Sequence, residues 1–458
     1  MSVAIRLAMF ACVLLFGFSA QAQVSSFKLK NGLNILVKED HRAPVVVQQV
    51  WYRVGSNYEE NGKTGISHML EHMMFKGTKT LKPGEFSKIV AKLGGQENAF
   101  TSSDYTVYYQ VIGKQHLAEV MKLEADRMRN LVIDDKEFQK ERDVVTEERR
   151  WRVEDKPESR LYEQFNAMAF LNSPPHHPTI GWMNDIRHYT AEDLRRWYRK
   201  WYAPNNATLV VVGDVDPKQV LKLAEKYYGP NQPEAISPPK PQVEIPQQGE
   251  RRLILKGATK SPTVMMGVHV PTLVTAKTAK ARQEVYALTV LNSLLDGDDS
   301  SRLTKDLVRG TKQLADAGAG YDGTDRLQTL FMLEGTPSAG VTTDQAEQAL
   351  WQEITRLQKE PVSEQELKRV LAQAEAQYVY HQDSIQAQAM IVGSLVSVGL
   401  PADTVDHWVE NLRKVTPQEV QAVAQKYFSK DKLTVGVLLP NGQKAKPTSG
   451  KFHAGGIR

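Results

Sequence analysis

One stretch constrains this chain more than any other: His68-Met69-Leu70-Glu71-His72, inside the run GISHMLEHMMFKGT. Two histidines four apart on a helix lie on one face, one turn from each other, and Glu71 between them points the same way. Ile66, Leu70, Met73 and Met74 fall on the opposite side and can enter a core, with Gly77 as a helix stop. One face anchors and the other is free for chemistry. A lone helical histidine is more often an ordinary residue than a ligand, so a metal site here needs a further ligand from elsewhere in the chain.

A chain of 458 residues, 41% hydrophobic and 24% charged, has ordinary globular composition and room for two or three domains. Its formal charge of +5 is spread without a concentrated basic run, so no nucleic-acid partner is read from it. Residues 1–22 carry Arg6, an apolar run over 7–18 and Ala20-Gln21-Ala22, the pattern of a secretory signal peptide cut after Ala22. That run is short against the ~20 residues that span a bilayer, so no stable membrane span is expected after cleavage. Cys12, the single cysteine, would leave with the peptide. Metal ligands in the mature chain therefore cannot be thiolates, and its folding rests on core burial rather than disulfides.

Residues 27–38 read as a hairpin turning at Asn31-Gly32, and 45–54 as a long strand. After the His68 helix, 83–93 has helical spacing, 106–112 is a β-branched and aromatic strand, and Asn98 to Thr101 leads into it as an edge able to hold an extended peptide. Helices follow over 114–130 and 135–152. On the second, Phe138, Val144, Val145 and Trp151 define an apolar arc, and Glu141 and Glu148 fall inside it while Glu147 does not. A carboxylate on a packed face is costly unless something positive meets it, and a metal ion meets that need. Seven residues separate the two along ~10.5 Å of helix, so one can be a ligand and the other supports from behind. His176 and His177 sit among prolines and read as a surface loop.

The end of the first half recurs. Thr190, Tyr202 and Thr208 align without gaps to Thr416, Phe428 and Thr434, a helix–turn–strand repeated at a shift of 226 residues, which suggests a duplicated α+β domain. Between the copies, 230–246 holds six prolines and reads as a stiff, extended linker. The second copy has no His-x-x-Glu-His; its histidines (His269, His381, His407, His453) are scattered.

His68-x-x-Glu71-His72, followed by Glu141-Arg142-x-Val144-Val145-x-x-Glu148, resembles the pitrilysin/insulinase family of zinc metallopeptidases, the inverzincins, and by length its bacterial members similar to mitochondrial processing peptidase subunits. The resemblance implies an α+β fold of two similar domains, each with helices packed on a mainly antiparallel sheet. It implies one zinc ion bound by His68, His72 and Glu148, Glu71 as general base, Glu141 as an accessory carboxylate, and Asn98, Ala99, Phe100 and Thr101 as a segment that binds substrate as an added strand. Three protein ligands leave a fourth position for water, the arrangement of a catalytic zinc. The expected plan is a signal peptide over 1–22, a zinc domain over 23–229, a linker over 230–250, a homologous non-catalytic domain over 251–440 and a mobile tail over 441–458. The family's substrate-binding arginine is matched by Arg309, but the tyrosine seven residues later is replaced by Asp316. The expected function is endopeptidase action on short or unfolded polypeptides in the periplasm, by a heterodimer with a related subunit or, failing that, a homodimer. The alternative is a structural, non-catalytic subunit of the same fold.

Overall fold

The structure, a computed structural model, describes residues 23–237 and 239–443. The expected signal peptide with Cys12, and 444–458 of the expected tail, lie outside the described residues.

The Asn31-Gly32 turn folds β1 (Ser25–Lys28) back on β2 (Asn34–Glu39) with Phe27 opposite Ile35. The apolar run that follows forms β3 (Val45–Tyr52), and after α1 (Ile66–Met73) and α2 (Glu85–Lys92) the chain enters β4 (Gln96–Thr101) and β5 (Thr106–Gly113). Five helices intervene before the next strand: α3 (Leu117–Asn130), α4 (Asp135–Arg149), α5 (Pro157–Ala169), α6 (Met183–His188) and α7 (Ala191–Trp201). Then β6 (Ala207–Gly213) enters the centre of the sheet and α8 (Pro217–Tyr227) closes the half. The strand order is β1-β2-β6-β3-β5-β4, antiparallel except where β2 meets β6. β4 is therefore a free edge.

The second half repeats this plan with β7 (Arg251–Gly257), β8 (Thr263–Val270), α9 (Ala279–Leu295), β9 (Leu314–Gly320) and β10 (Thr329–Pro337). It continues with α10 (Thr343–Lys359), α11 (Glu364–Asp383), α12 (Ile385–Ser397), α13 (Trp408–Arg413), α14 (Pro417–Tyr427) and β11 (Thr434–Pro440). The order β7-β11-β8-β10-β9 matches β2-β6-β3-β5-β4 strand for strand, including the single parallel pair. The repeat expected around Thr190 and Thr416 lies at the same place in both halves. Each threonine caps its helix in a reciprocal box, with Asp193 in one and Glu419 in the other.

Each sheet covers one face with its own helices. Met69, Val120 and Leu194 are fully buried in the first core, and Leu288, Leu350 and Val420 in the second. The opposite faces are covered by exchange. Ala389 and Val392 of α12 pack on Val47, Trp51 and Val210 of the first sheet, while Leu161 and Phe165 of α5 pack on Met265 and Leu438 of the second. The connecting stretch carries no helix or strand among its described residues and is stitched down where buried Glu244 accepts the amides of Asn172 and Ser173 at 3.1 and 2.9 Å.

The apolar arc expected on α4 holds only in part. Phe138 and Val145 are fully buried, but Val144 and Trp151 are 49% and 56% exposed. The α-helix stops at Arg149 and widens into a π-helical turn over Arg150–Glu154, so the 100° spacing that placed Trp151 on the packed side no longer applies. Val144, at the margin of the arc, faces solvent.

Candidate metal centre

Eight residues make α1 a short helix, and helices of that length do not persist in water unless their surroundings hold them. Ile66, Leu70, Met73 and Met74 are each no more than 2% exposed, and such burial contributes about 1.5–3 kcal/mol per side chain. The helix starts at Gly65 with no cap of its own. Buried Glu59 supplies one, accepting the amides of Gly65 at 2.6 Å and Ser67 at 2.8 Å. A negative group suits a helix N-terminus, although burial still pushes this carboxyl up to about 7. Thus anchored, α1 presents His68 and His72 with ring centroids 4.8 Å apart.

The facing helix, α4, brings Glu148. Its Oε2 lies 3.6 Å from His68 Nε2 and 3.2 Å from His72 Nε2, while Oε1 is held by Arg152 at 3.0 Å. Two atoms each ~2.1 Å from a tetrahedral zinc ion stand ~3.4 Å apart, so these separations suit three ligands of one ion. Oε2 is buried without a hydrogen-bond partner, and the donor set of two imidazole nitrogens and one carboxylate oxygen fits zinc. Among the described residues, His68, His72 and Glu148 are the group of histidines and acids so disposed.

Glu141, two turns earlier on α4, stands behind. Its Oε2 meets His72 Nδ1 at 3.2 Å and its Oε1 meets Lys76 Nζ at 2.5 Å. With an ion bound, a proton on Nδ1 directed to Glu141 would leave the Nε2 lone pair for the metal, the tautomer a ligand needs. The electrostatics follow the contacts. Burial and the neighbouring His72 pull His68 down to about 4, keeping its ring neutral. Burial opposes charge on His72 too, but the carboxylates of Glu141 and Glu148 on its two sides outweigh it and lift that ring to about 9. Against the same burial, His72 holds the Glu148 carboxyl at about 2.

Glu71 shares the His68–His72 face, and Thr101, the last residue of the edge strand β4, donates from Oγ1 to Glu71 Oε2 at 2.6 Å. Burial raises the Glu71 carboxyl and this bond opposes the rise. The four residues expected to hold substrate are not alike. Thr101 turns to the base; Phe100 turns to the other face, edge-on to Trp51 with centroids 6.3 Å apart, leaving its main chain at the edge; exposed Asn98 places Oδ1 2.9 Å from the Ala99 amide. Arg309 lies in the second half, exposed, donating to the carbonyl of Asp299. Asp316 lies on β9, the counterpart of β4.

The expectation of a surface loop at His176 and His177 needs correction. His177 is 8% exposed, its Nε2 3.1 Å from Asn61 Oδ1, because the proline-rich segment folds under the approach to α1. Sequence reasoning also missed Lys76 and Glu59. The signals were present: a cation four residues past His72, and an acid ahead of a helix whose first residues offer no cap.

Known proteins resemble this chain. Residues 34–181, which contain the whole cluster, match the family model described as Insulinase (Peptidase family M16), and 188–374 match the one described as Peptidase M16 inactive domain. The zinc protease PqqE of Helicobacter pylori is 33% identical over 363 residues, 78% of this chain and 80% of that one. This chain belongs to the insulinase family. Its fold is that of a crystal structure of a protease from Helicobacter pylori, with a TM-score of 0.86 at 29% identity over 92% of this chain and all of that one. Against the periplasmic protease PqqL of Escherichia coli the insulinase fold again aligns, with a TM-score of 0.75 at 20% identity, but 91% of this chain covers only 47% of that one. Among the described residues, no helix is long and apolar enough to cross a membrane.

Proposed function

We propose that this insulinase-family chain is a zinc-dependent endopeptidase acting on short or unfolded polypeptides in the periplasm. The observation that carries the reading is Glu148 Oε2, buried without a hydrogen bond and 3.2–3.6 Å from two imidazole nitrogens that face it. His68, His72 and Glu148 would hold the ion, with Glu141 orienting His72. When bound, zinc supplies Lewis acidity, polarising a peptide carbonyl and making a water easier to deprotonate. The remaining work falls to the chain. Glu71, fixed by Thr101 through Oε2, takes the proton from the attacking water at Oε1 and delivers it to the departing amine nitrogen. The free edge of β4 ends at Thr101, so a peptide added there as a further strand runs its main chain past Glu71.

We further propose that a second chain closes the site, a related subunit in preference to another copy. Asp316 stands where the family has its substrate-binding tyrosine, and PqqL is about twice the length over which this chain aligns. A purely structural role is disfavoured by a complete set of ligands and base. Hydrolysis of a quenched peptide, abolished by a chelator and restored by zinc, tests the activity. No chelator-sensitive turnover, alone or with a co-expressed related chain, would refute it.

A further inference from the structure

The metal cluster joins two helices that are far apart in sequence, so some contact must fix their spacing before an ion arrives. Arg149 follows Glu148 directly and is 2% exposed. Its Nη1 donates to the Gly181 carbonyl at 2.6 Å and to Glu163 Oε2 at 2.7 Å, and its Nη2 to Glu163 Oε1 at 2.9 Å. Gly181 lies directly against the start of the other helix. Both Gly65, the residue that opens α1, and Gly181 have positive φ, 82° and 85°. A Cβ on Gly181 would collide with the Thr64 carbonyl, and one on Gly65 with the carbonyl of Ile180. The Trp182 amide donates to Thr64 Oγ1 at 2.9 Å, and Asp185 Oδ2 accepts the amides of Gly62 and Thr64, both at 3.1 Å. One buried guanidinium therefore ties the residue beside Glu148 to the turn that launches His68.

We propose that Arg149 is a positioning residue that sets the distance between the two ligand-bearing helices. It touches neither ion nor substrate. A buried bidentate pair with Glu163 holds the planar guanidinium in one orientation, and the glycine-to-glycine contact passes that orientation to α1 with no flexible side chain between. Its consequence for metal affinity rests on the zinc reading above; the contact itself does not.

Three variants test it: Arg149→Lys, Arg149→Met, and Arg149→Met with Glu163→Leu, which removes the carboxylate the first change would strand. Hydrogen exchange on the zinc-free protein is expected to speed up about tenfold over residues 62–72 in both Met variants, with α9 unchanged. Zinc affinity, read by competition with a chromophoric chelator, is expected to fall about 10–100-fold, including in the double variant. Arg149→Lys, which keeps a donor for the Gly181 carbonyl, should recover part of both. Parental exchange over 62–72, or parental zinc affinity, in the double variant would overturn the proposal. Equal zinc binding by the parent and Glu148→Gln would instead remove the metal reading, and the exchange data would still decide the role of Arg149.

Discussion

The two halves cross a pair of helices at the same place, and close the crossing in opposite ways. In the second half α9 meets α11, and the segment between them is closed by charges that satisfy each other: Arg302 Nε meets Glu366 Oε1 at 2.9 Å, and Arg369 Nη1 meets Asp298 Oδ1 at 2.7 Å. In the first half α1 meets α4, and the crossing gathers two imidazoles around a carboxylate oxygen that has no hydrogen bond. The five shared strands keep the same order in both halves; the side chains at this one crossing do not agree. The same scaffold therefore supports a closed structural joint in one half and the proposed coordination site in the other, and on that reading function follows the donors rather than the fold.

Substitutions can break that contrast. The largest effect is expected for Glu71→Gln, which should leave zinc content at the parental level while turnover of a quenched peptide falls by about 10²–10⁴-fold. A control at the second-half joint, Glu366→Gln, should change neither zinc content nor turnover; loss of zinc there would mean the halves share more than a scaffold. Next come the exchanged helices. Trp51→Ala, beneath α12, and Phe165→Ala, at the core of α5, should each cost about 3–5 kcal/mol in a single cooperative denaturant transition, because each sheet is covered by the other half. Two separated transitions would show that the halves are independent. A smaller effect, about 10–100-fold in zinc affinity, is expected for Glu141→Leu by chelator competition, since His72 would lose the partner that fixes its tautomer.

The smallest concerns pH. Burial resists charge on Glu366, but the hydrogen bond from Arg302 and the Ser363 amide outweigh it and hold the carboxyl at about 2. A carboxyl depressed in the folded state contributes stability that is fully present above its unfolded value, about 4.3, and is lost as pH falls toward 2. Melting curves of the zinc-free parent and Glu366→Gln should converge over that interval. Curves that stay parallel from pH 5 to 2 would show that this joint contributes no such stability.

Much of this was legible in the residues themselves. Helical spacing put His68, Glu71 and His72 on one face, the helical wheel put both Glu141 and Glu148 on the packed side of α4 while only the family resemblance told them apart, and the gapless echo of Thr190 in Thr416 exposed the duplication. What escaped was non-local or broke a period. No spacing rule says that α5 and α12 trade sheets, since that is decided by shape between residues about 100 or more positions apart. The π-helical turn after Arg149 defeated the helical wheel at Trp151. The prolines around His177 correctly marked irregular backbone but carried no information on whether it was covered.

The central claim is that the crossing of α1 and α4 is a zinc site. Elemental analysis of purified protein after dialysis against limiting zinc tests it most directly. The account predicts one zinc per chain in the parent and in Glu71→Gln, and none in His68→Ala or Glu148→Gln at parental far-ultraviolet circular dichroism. Full zinc retention by folded Glu148→Gln would contradict it.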